Sequence, residues 1–279
     1  MKPLSLQEIC KAVGGQALTP IPKPTPAVKS VCHDTRQMEK GCLFIAIQGE
    51  NFDGHKFLSN AAQAGAVAAI VHEKPAQPPA NLSLIEVKNT RIALGKLAAF
   101  VRSQMRSKVI AVAGSNGKTS TKYLIDSVLG SKLRGSMSPK SFNNDIGVPM
   151  TILPADPAHD YLVLELGTNH PGEIKMLAEM SRPDIAVITN CGAEHLEFFG
   201  DLANVRRENT SIINGMNEKG LLIVNGDDSD LLALVSPFEG KKITFGFESS
   251  NDLFATDVRC DASGTKKTKG NFLSLKRRH

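Results

Sequence analysis

None of the five cysteines, at positions 10, 32, 42, 191 and 260, pairs with another at CxxC spacing, and their number is odd. This argues against a zinc site or a disulfide framework and for buried or idle thiols in a reducing compartment. No apolar run approaches the roughly 20 residues that cross a bilayer. The opening MKPLSLQEICKAVGG also lacks the continuous apolar stretch of a secretion signal. A cytoplasmic chain without membrane association is therefore expected. Excess basic charge is missing from most of the chain: the net +5 resides in residues 260–279, where six Lys or Arg face one Asp. Residues 1–259 carry equal numbers of each sign, so the body offers no footprint for nucleic acid. No internal repeat is visible. What remains is a 279-residue chain with 41% hydrophobic and 22% charged residues, enough for one large domain or two ordinary ones.

Patterning predicts an α/β protein. Ser5 is placed to cap a short helix whose apolar residues Leu6, Ile9, Cys10 and Val13 recur at helical spacing, and Gly14-Gly15 stops it. The strands CLFIAIQ, AVAAIV and LSLIEV then alternate with a helix at about 57–65. Thr90 is expected to cap a helix running to about Ser103. The alternation restarts with VIAVA, a helix from Lys118, YLVLEL, a helix from about 171 to 180, and DIAVITN. It continues with a helix near 202–216, GLLIVN, a helix near 229–235 and KKITFGF. Near-continuous apolar strands such as VIAVA suit a parallel sheet covered on both faces. The expected division is an N-terminal α/β domain at 1–88, then a central P-loop-type domain at 89–259 with a linker helix at about 89–108. A basic, patternless and disordered end is expected at 260–279.

The stretch VIAVAGSNGKTSTKYL, 109–124, carries the chemistry. An apolar strand leads through Gly114, Ser115, Asn116 and Gly117 into Lys118, Thr119 and Ser120, the materials of a phosphate-binding loop. Glycines let the loop approach a phosphate, Lys118 is placed to reach the outer phosphates, and Thr119 offers a hydroxyl to magnesium. The strict pattern requires a glycine five residues before Gly117, and Val112 stands there.

AGSNGKTST resembles the shortened loop G-[ST]-N-G-K-T-[ST] of the Mur ligases, ATP-dependent amide-forming enzymes of cell-wall synthesis, and of their folylpolyglutamate synthetase relatives. The resemblance extends over about residues 1–259. HDTRQMEKGCLFIAIQGENFDGH is similar to the uridine-nucleotide-binding domain of the family, where Asp34, Thr35 and Arg36 would lie against the UDP part of the substrate. An arginine fork suits a diphosphate, and the bland alternative is a solvated turn. SFNNDIGVP resembles the segment of the member that adds D-alanyl-D-alanine. It offers Asn143 and Asn144 to the substrate, or simply forms a turn. YLVLEL puts Glu165 at the end of a buried strand, where ligands of open α/β sheets gather. In the family that carboxylate holds Mg²⁺. ITNCGAEHLEFFG resembles N-x-G-x-x-H-L-[ED]-x-F-G, implying that His195 helps bind a second Mg²⁺ or the transferring phosphate.

Two departures stand out. Where the family has a lysine, often carbamylated to hold the second metal, this chain has Asn209, and Ser211 stands at the position of the following Glu. Glu208 is adjacent but points about 100° away on a helix. After NDLFATDVRC neither the family's adenine-contacting G-x-H-N-x-x-N segment nor its third domain follows. The resemblance implies an ATP-dependent ligase joining D-alanyl-D-alanine to UDP-N-acetylmuramoyl-tripeptide through an acyl phosphate, with ATP and Mg²⁺ as cofactors and a monomer expected. Lys118, Glu165 and His195 would be catalytic, with Thr119, Glu165 and His195 at the metals. The alternatives are the ligase adding the third amino acid and a non-catalytic module that holds a nucleotide or UDP-sugar.

Overall fold

The computed structural model describes residues 1–20, 26–49, 52–255, 260, 261, 264 and 265. It is an α/β protein with sheets dominated by parallel pairing. Its contacts group residues 1–107 with 129–162, and residues 108–128 with the chain from 163 onward. The helix near residue 90 and the FNN segment therefore belong to the first unit, although sequence patterning places both with the second.

In the first unit, α1 (Leu6–Val13) starts at Ser5, whose hydroxyl and backbone exchange hydrogen bonds with Glu8, and ends at Gly14 with φ 67°. The turn to the left-handed region there requires a residue without Cβ. β1 (Gln16–Ala17), β2 (Val31–Cys32), β3 (Leu43–Ile45), α2 (Leu58–Ala64), β4 (Ala68–Val71), β5 (Ser83–Glu86) and α3 (Thr90–Ser103) follow. The sheet order is β1-β5-β4-β3-β2, parallel except for β1. Cys32 and Cys42 are buried beside Phe44, Leu58 and Leu84 as small apolar residues. Burial pushes the Cys42 thiol up to about 11. Asn89, not Thr90, caps α3: its Oδ1 accepts from the backbone N–H of Arg91 and Ile92, and Thr90 is the first helical residue.

The second unit contains β6 (Lys108–Ala113), all but the last residue of α4 (Lys118–Leu129), the larger part of β7 (Tyr161–Glu165), α5 (Glu173–Ser181), β8 (Ile185–Ile188), α6 (Leu196–Phe199) and α7 (Leu202–Thr210). β9 (Leu221–Asn225), α8 (Ser229–Leu234), β10 (Lys241–Gly246) and β11 (Leu253–Phe254) complete it. The strands run in the order β11-β10-β9-β8-β6-β7. Because β6 and β8 are buried on both faces, their periodicity is hidden and they read as apolar runs. Of the end expected to be disordered, Cys260–Asp261 pairs antiparallel with Gly264–Thr265. The rest of that expectation lies outside the described residues.

Candidate functional site

The corner between β6 and α4 forms the loop expected of it, and a second loop braces it. Ser115 N–H donates to the Asn190 carbonyl at 2.8 Å. Asn116 exchanges two bonds with the Asn190 amide: its N–H donates to Oδ1 at 3.1 Å, and its carbonyl accepts from Nδ2 at 2.9 Å. The Thr189 hydroxyl donates to the same carbonyl at 2.7 Å, and Gly192 N–H donates to Ser115 Oγ at 2.8 Å. The amides of Ser115 and Asn116 are therefore spent on the brace. The first N–H groups of a helix lack intrahelical partners, so those of Gly117, Lys118 and Thr119 are suited to receive an anion.

The two glycines serve different purposes. A Cβ on Gly114 (φ 123°) would collide with Thr189 Oγ1 and come within 2.8 Å of the Asn190 carbonyl, so close packing of the brace requires glycine there. Gly117 (φ 81°) faces open space, and only its left-handed backbone requires glycine.

Lys118 Nζ donates to the carbonyls of Gly114 and Ser115, at 2.6 and 3.1 Å. Thr119 Oγ1 donates to Glu165 Oε2 at 3.0 Å. The structure thus brings together the strand-end carboxylate and the loop hydroxyl expected at the metal. Glu165 is 1% exposed, and Lys122, which motif reading passed over, lies 3.1 Å from the same oxygen. Its position three residues after Thr119, on the same helix face, was the available signal. A hydroxyl and a carboxylate are the hard oxygen donors that magnesium takes.

His195 stands in the left-handed region (φ 47°) ahead of α6, with Nδ1 3.9 Å from Glu197. Among the described residues no group of three or more His, Cys, Asp or Glu is placed to hold a metal. Asn209 is buried and donates to the Val205 carbonyl of its own helix at 3.1 Å. Glu208 accepts the N–H groups of Gly172 and Ile174 at 2.7 and 2.8 Å, so it caps α5.

In the first unit, His33, Asp34, Thr35, Arg36, Phe44, Phe52 and Phe57 line a cavity of about 530 Å³. Phe52 and Phe57 stack at 5.2 Å. Asp34 accepts from the Arg36 fork at 2.9 and 2.6 Å, which holds its carboxyl down at about 2. Arg36 is otherwise exposed. The FDGH segment contributes Phe52 to this cavity, and beyond it Asp53 binds His55 Nδ1 at 2.9 Å while His55 Nε2 accepts from His72 N–H. That arrangement assigns a neutral ring with its proton on Nδ1.

Asn144 acts within the first unit as a local cap. Its Oδ1 accepts from Ile146 and Gly147 N–H at the start of the helix Gly147–Ile152, while Arg91 grips Asp145 in two 2.7 Å bonds. Asn143 lies in the same turn.

A larger cavity, of about 1050 Å³, is lined by Lys108, Arg182, Asp184 and Lys219. It lies at the starts of β6, β8 and β9, away from the strand ends where ligands of such sheets gather.

Residues 27–108 match the model described as Mur ligase family, catalytic domain, and residues 112–277 match the Mur ligase middle domain. Over 241 residues the chain is 40% identical to the UDP-N-acetylmuramoyl-tripeptide--D-alanyl-D-alanine ligase of Escherichia coli, covering 86% of this chain and 53% of that protein. The Bacillus subtilis enzyme of the same name is 36% identical, over 95% of this chain and 57% of its own length. The chain therefore spans about half the length of these relatives. MurF from Acinetobacter baumannii superimposes with a TM-score of 0.84 at 31% identity, covering 95% of this chain and 60% of that one. MurF from Thermotoga maritima, solved in complex with ADP, gives 0.77 at 30% identity, covering 85% and 55%.

Proposed function

Because the chain belongs to the Mur ligase family, we propose that it carries the nucleotide- and UDP-substrate-binding parts of an ATP-dependent ligase that joins D-alanyl-D-alanine to UDP-N-acetylmuramoyl-tripeptide. Residues 1–88 are read as the UDP-binding part and 89–259 as the ATP-binding part. The observation carrying this reading is the Thr119–Glu165 contact at 3.0 Å, made at the helix start that follows the glycine loop. In the reaction, the γ-phosphate of ATP passes to the C-terminal carboxylate of the tripeptide. The amine of D-alanyl-D-alanine then attacks the acyl phosphate, and phosphate leaves with the C–O bond.

The chain's residues divide this work. Amides at the start of α4 hold phosphate oxygens, aided by the helix dipole. Lys118 leaves the loop carbonyls for the outer phosphates, where it offsets charge that builds up during transfer. Thr119 and Glu165 would hold magnesium, which supplies further neutralisation of the transferring oxygens. His195 is assigned to the transferring phosphate. In the other cavity, Phe52 and Phe57 offer an apolar wall for a uracil ring, and Arg36 turns from Asp34 to the diphosphate.

Calorimetry of ADP binding with magnesium tests this reading. Micromolar affinity is expected, along with at least a tenfold loss in Lys118→Ala, the ordinary scale for removing a charged hydrogen bond. No heat from well-folded wild-type protein would sink the assignment.

A further inference from the structure

The mechanism above makes no use of Lys122, yet its side chain is fully enclosed, with 0% exposure. A lysine so buried needs a counter-charge, because an unpaired ammonium in the interior is strongly disfavoured. Glu165 Oε2 supplies it at 3.1 Å. That same oxygen accepts the Thr119 hydroxyl at 3.0 Å. Since Thr119 and Lys122 are three residues apart on α4, one face of the helix grips the carboxylate at the end of β7 at two points. The Tyr123 ring, its centroid 4.9 Å from Nζ, flanks the ammonium.

We propose that Lys122 is a positioning residue: it holds the Glu165 carboxylate beside the Thr119 hydroxyl and acts on a bound nucleotide only through that carboxylate. This rests on the magnesium-nucleotide reading above and adds a residue to it. The two lysines of the helix differ in kind. Lys118 lies on loop carbonyls at the helix start, within the loop that takes the phosphate. Lys122 sits one turn further in, with no exposed surface to present to a ligand. A buried carboxylate stripped of its cation does not stay where it was: it turns toward other donors or water, and the pair of hard oxygens is lost.

The test is binding of a fluorescent ADP analogue, with magnesium and with EDTA, to wild type, Lys122→Met, Glu165→Gln and the double variant. The readout is the ratio of the two affinities, with melting temperature as a check on folding. Lys122→Met should lower the magnesium enhancement about tenfold, to the level of Glu165→Gln, and leave the affinity in EDTA within about twofold, as expected when one member of a coupled pair is removed. An unchanged or larger enhancement in folded Lys122→Met overturns the proposal.

If Lys122→Met does not fold, the decisive comparison is Glu165→Gln against the double variant, which carries neither charge of the pair. Equal affinities in magnesium support action through Glu165 alone. A further tenfold loss in the double variant would mean that Lys122 touches the nucleotide itself, and the proposal fails. Wild-type protein that ignores ADP under all conditions would overturn the nucleotide reading first, and this proposal with it.

Discussion

At the scale of single residues, the loop owes its shape as much to Asn190 as to its own glycines. Asn190 uses both ends of its amide on Asn116 and its carbonyl on Ser115. Asn190→Ala is therefore expected to weaken ADP binding about thirtyfold, since two hydrogen bonds of roughly 1 kcal/mol each hold the loop in its receptive form. Asn190→Asp should be worse, because it keeps the acceptor, loses the donor and adds negative charge beside a phosphate. Binding isotherms at matched melting temperatures check both variants. The neighbouring Cys191 behaves in the opposite way to a reactive thiol. Burial and the Asp228 carboxylate push it up to about 12, so it is almost wholly protonated at pH 8. Iodoacetamide should label Cys191 at pH 8 at least ~100-fold more slowly than an unburied cysteine, because only the thiolate reacts. Mass spectrometry of the labelled peptide reads this directly.

At the scale of elements, a helix start is completed from another part of the chain. Gly172 at the entry to α5 has φ 90° and brings no side-chain cap. The buried Glu208 on α7 supplies one, accepting from Gly172 and Ile174 N–H and from the Thr168 hydroxyl. Glu208→Ala should cost about 1–3 kcal/mol, since it leaves the buried Ile174 N–H unsatisfied. Glu208→Gln should cost less, since it keeps an acceptor. Denaturant melts of the two variants test the order. The same geometry commits the Glu208 carboxylate to α5 and turns Asn209 onto its own helix. The α7 sequence did not show that the Glu208 carboxylate is occupied by another helix.

At the scale of the molecule, the two proposed binding regions are built from different stretches of chain, one by Phe52, Phe57 and Arg36, the other by the loop after β6. Phe57→Ala should abolish uridine diphosphate binding and leave ADP binding unchanged, while Lys118→Ala does the converse; titration of each variant with both ligands decides. Much of this organisation was legible beforehand. Strand–loop–helix order, the capping of α1 by Ser5 and the corner at Gly114–Thr119 depend on neighbours a few residues apart, and their signals are periodicity and turn chemistry. Asp34 and Arg36 also find each other locally, two residues apart. Tertiary structure alone decided the partners that meet across the fold. Asn116 reaches Asn190 over 74 residues and Glu208 reaches Gly172 over 36, whereas the meeting of Thr119 with Glu165 over 46 had been implied by the family resemblance. Local periodicity cannot encode such pairings, because they depend on which strand ends the sheet order sets side by side. For the same reason the burial of Lys122 against Glu165, and with it the grip on the carboxylate, emerges only once β7 lies next to β6.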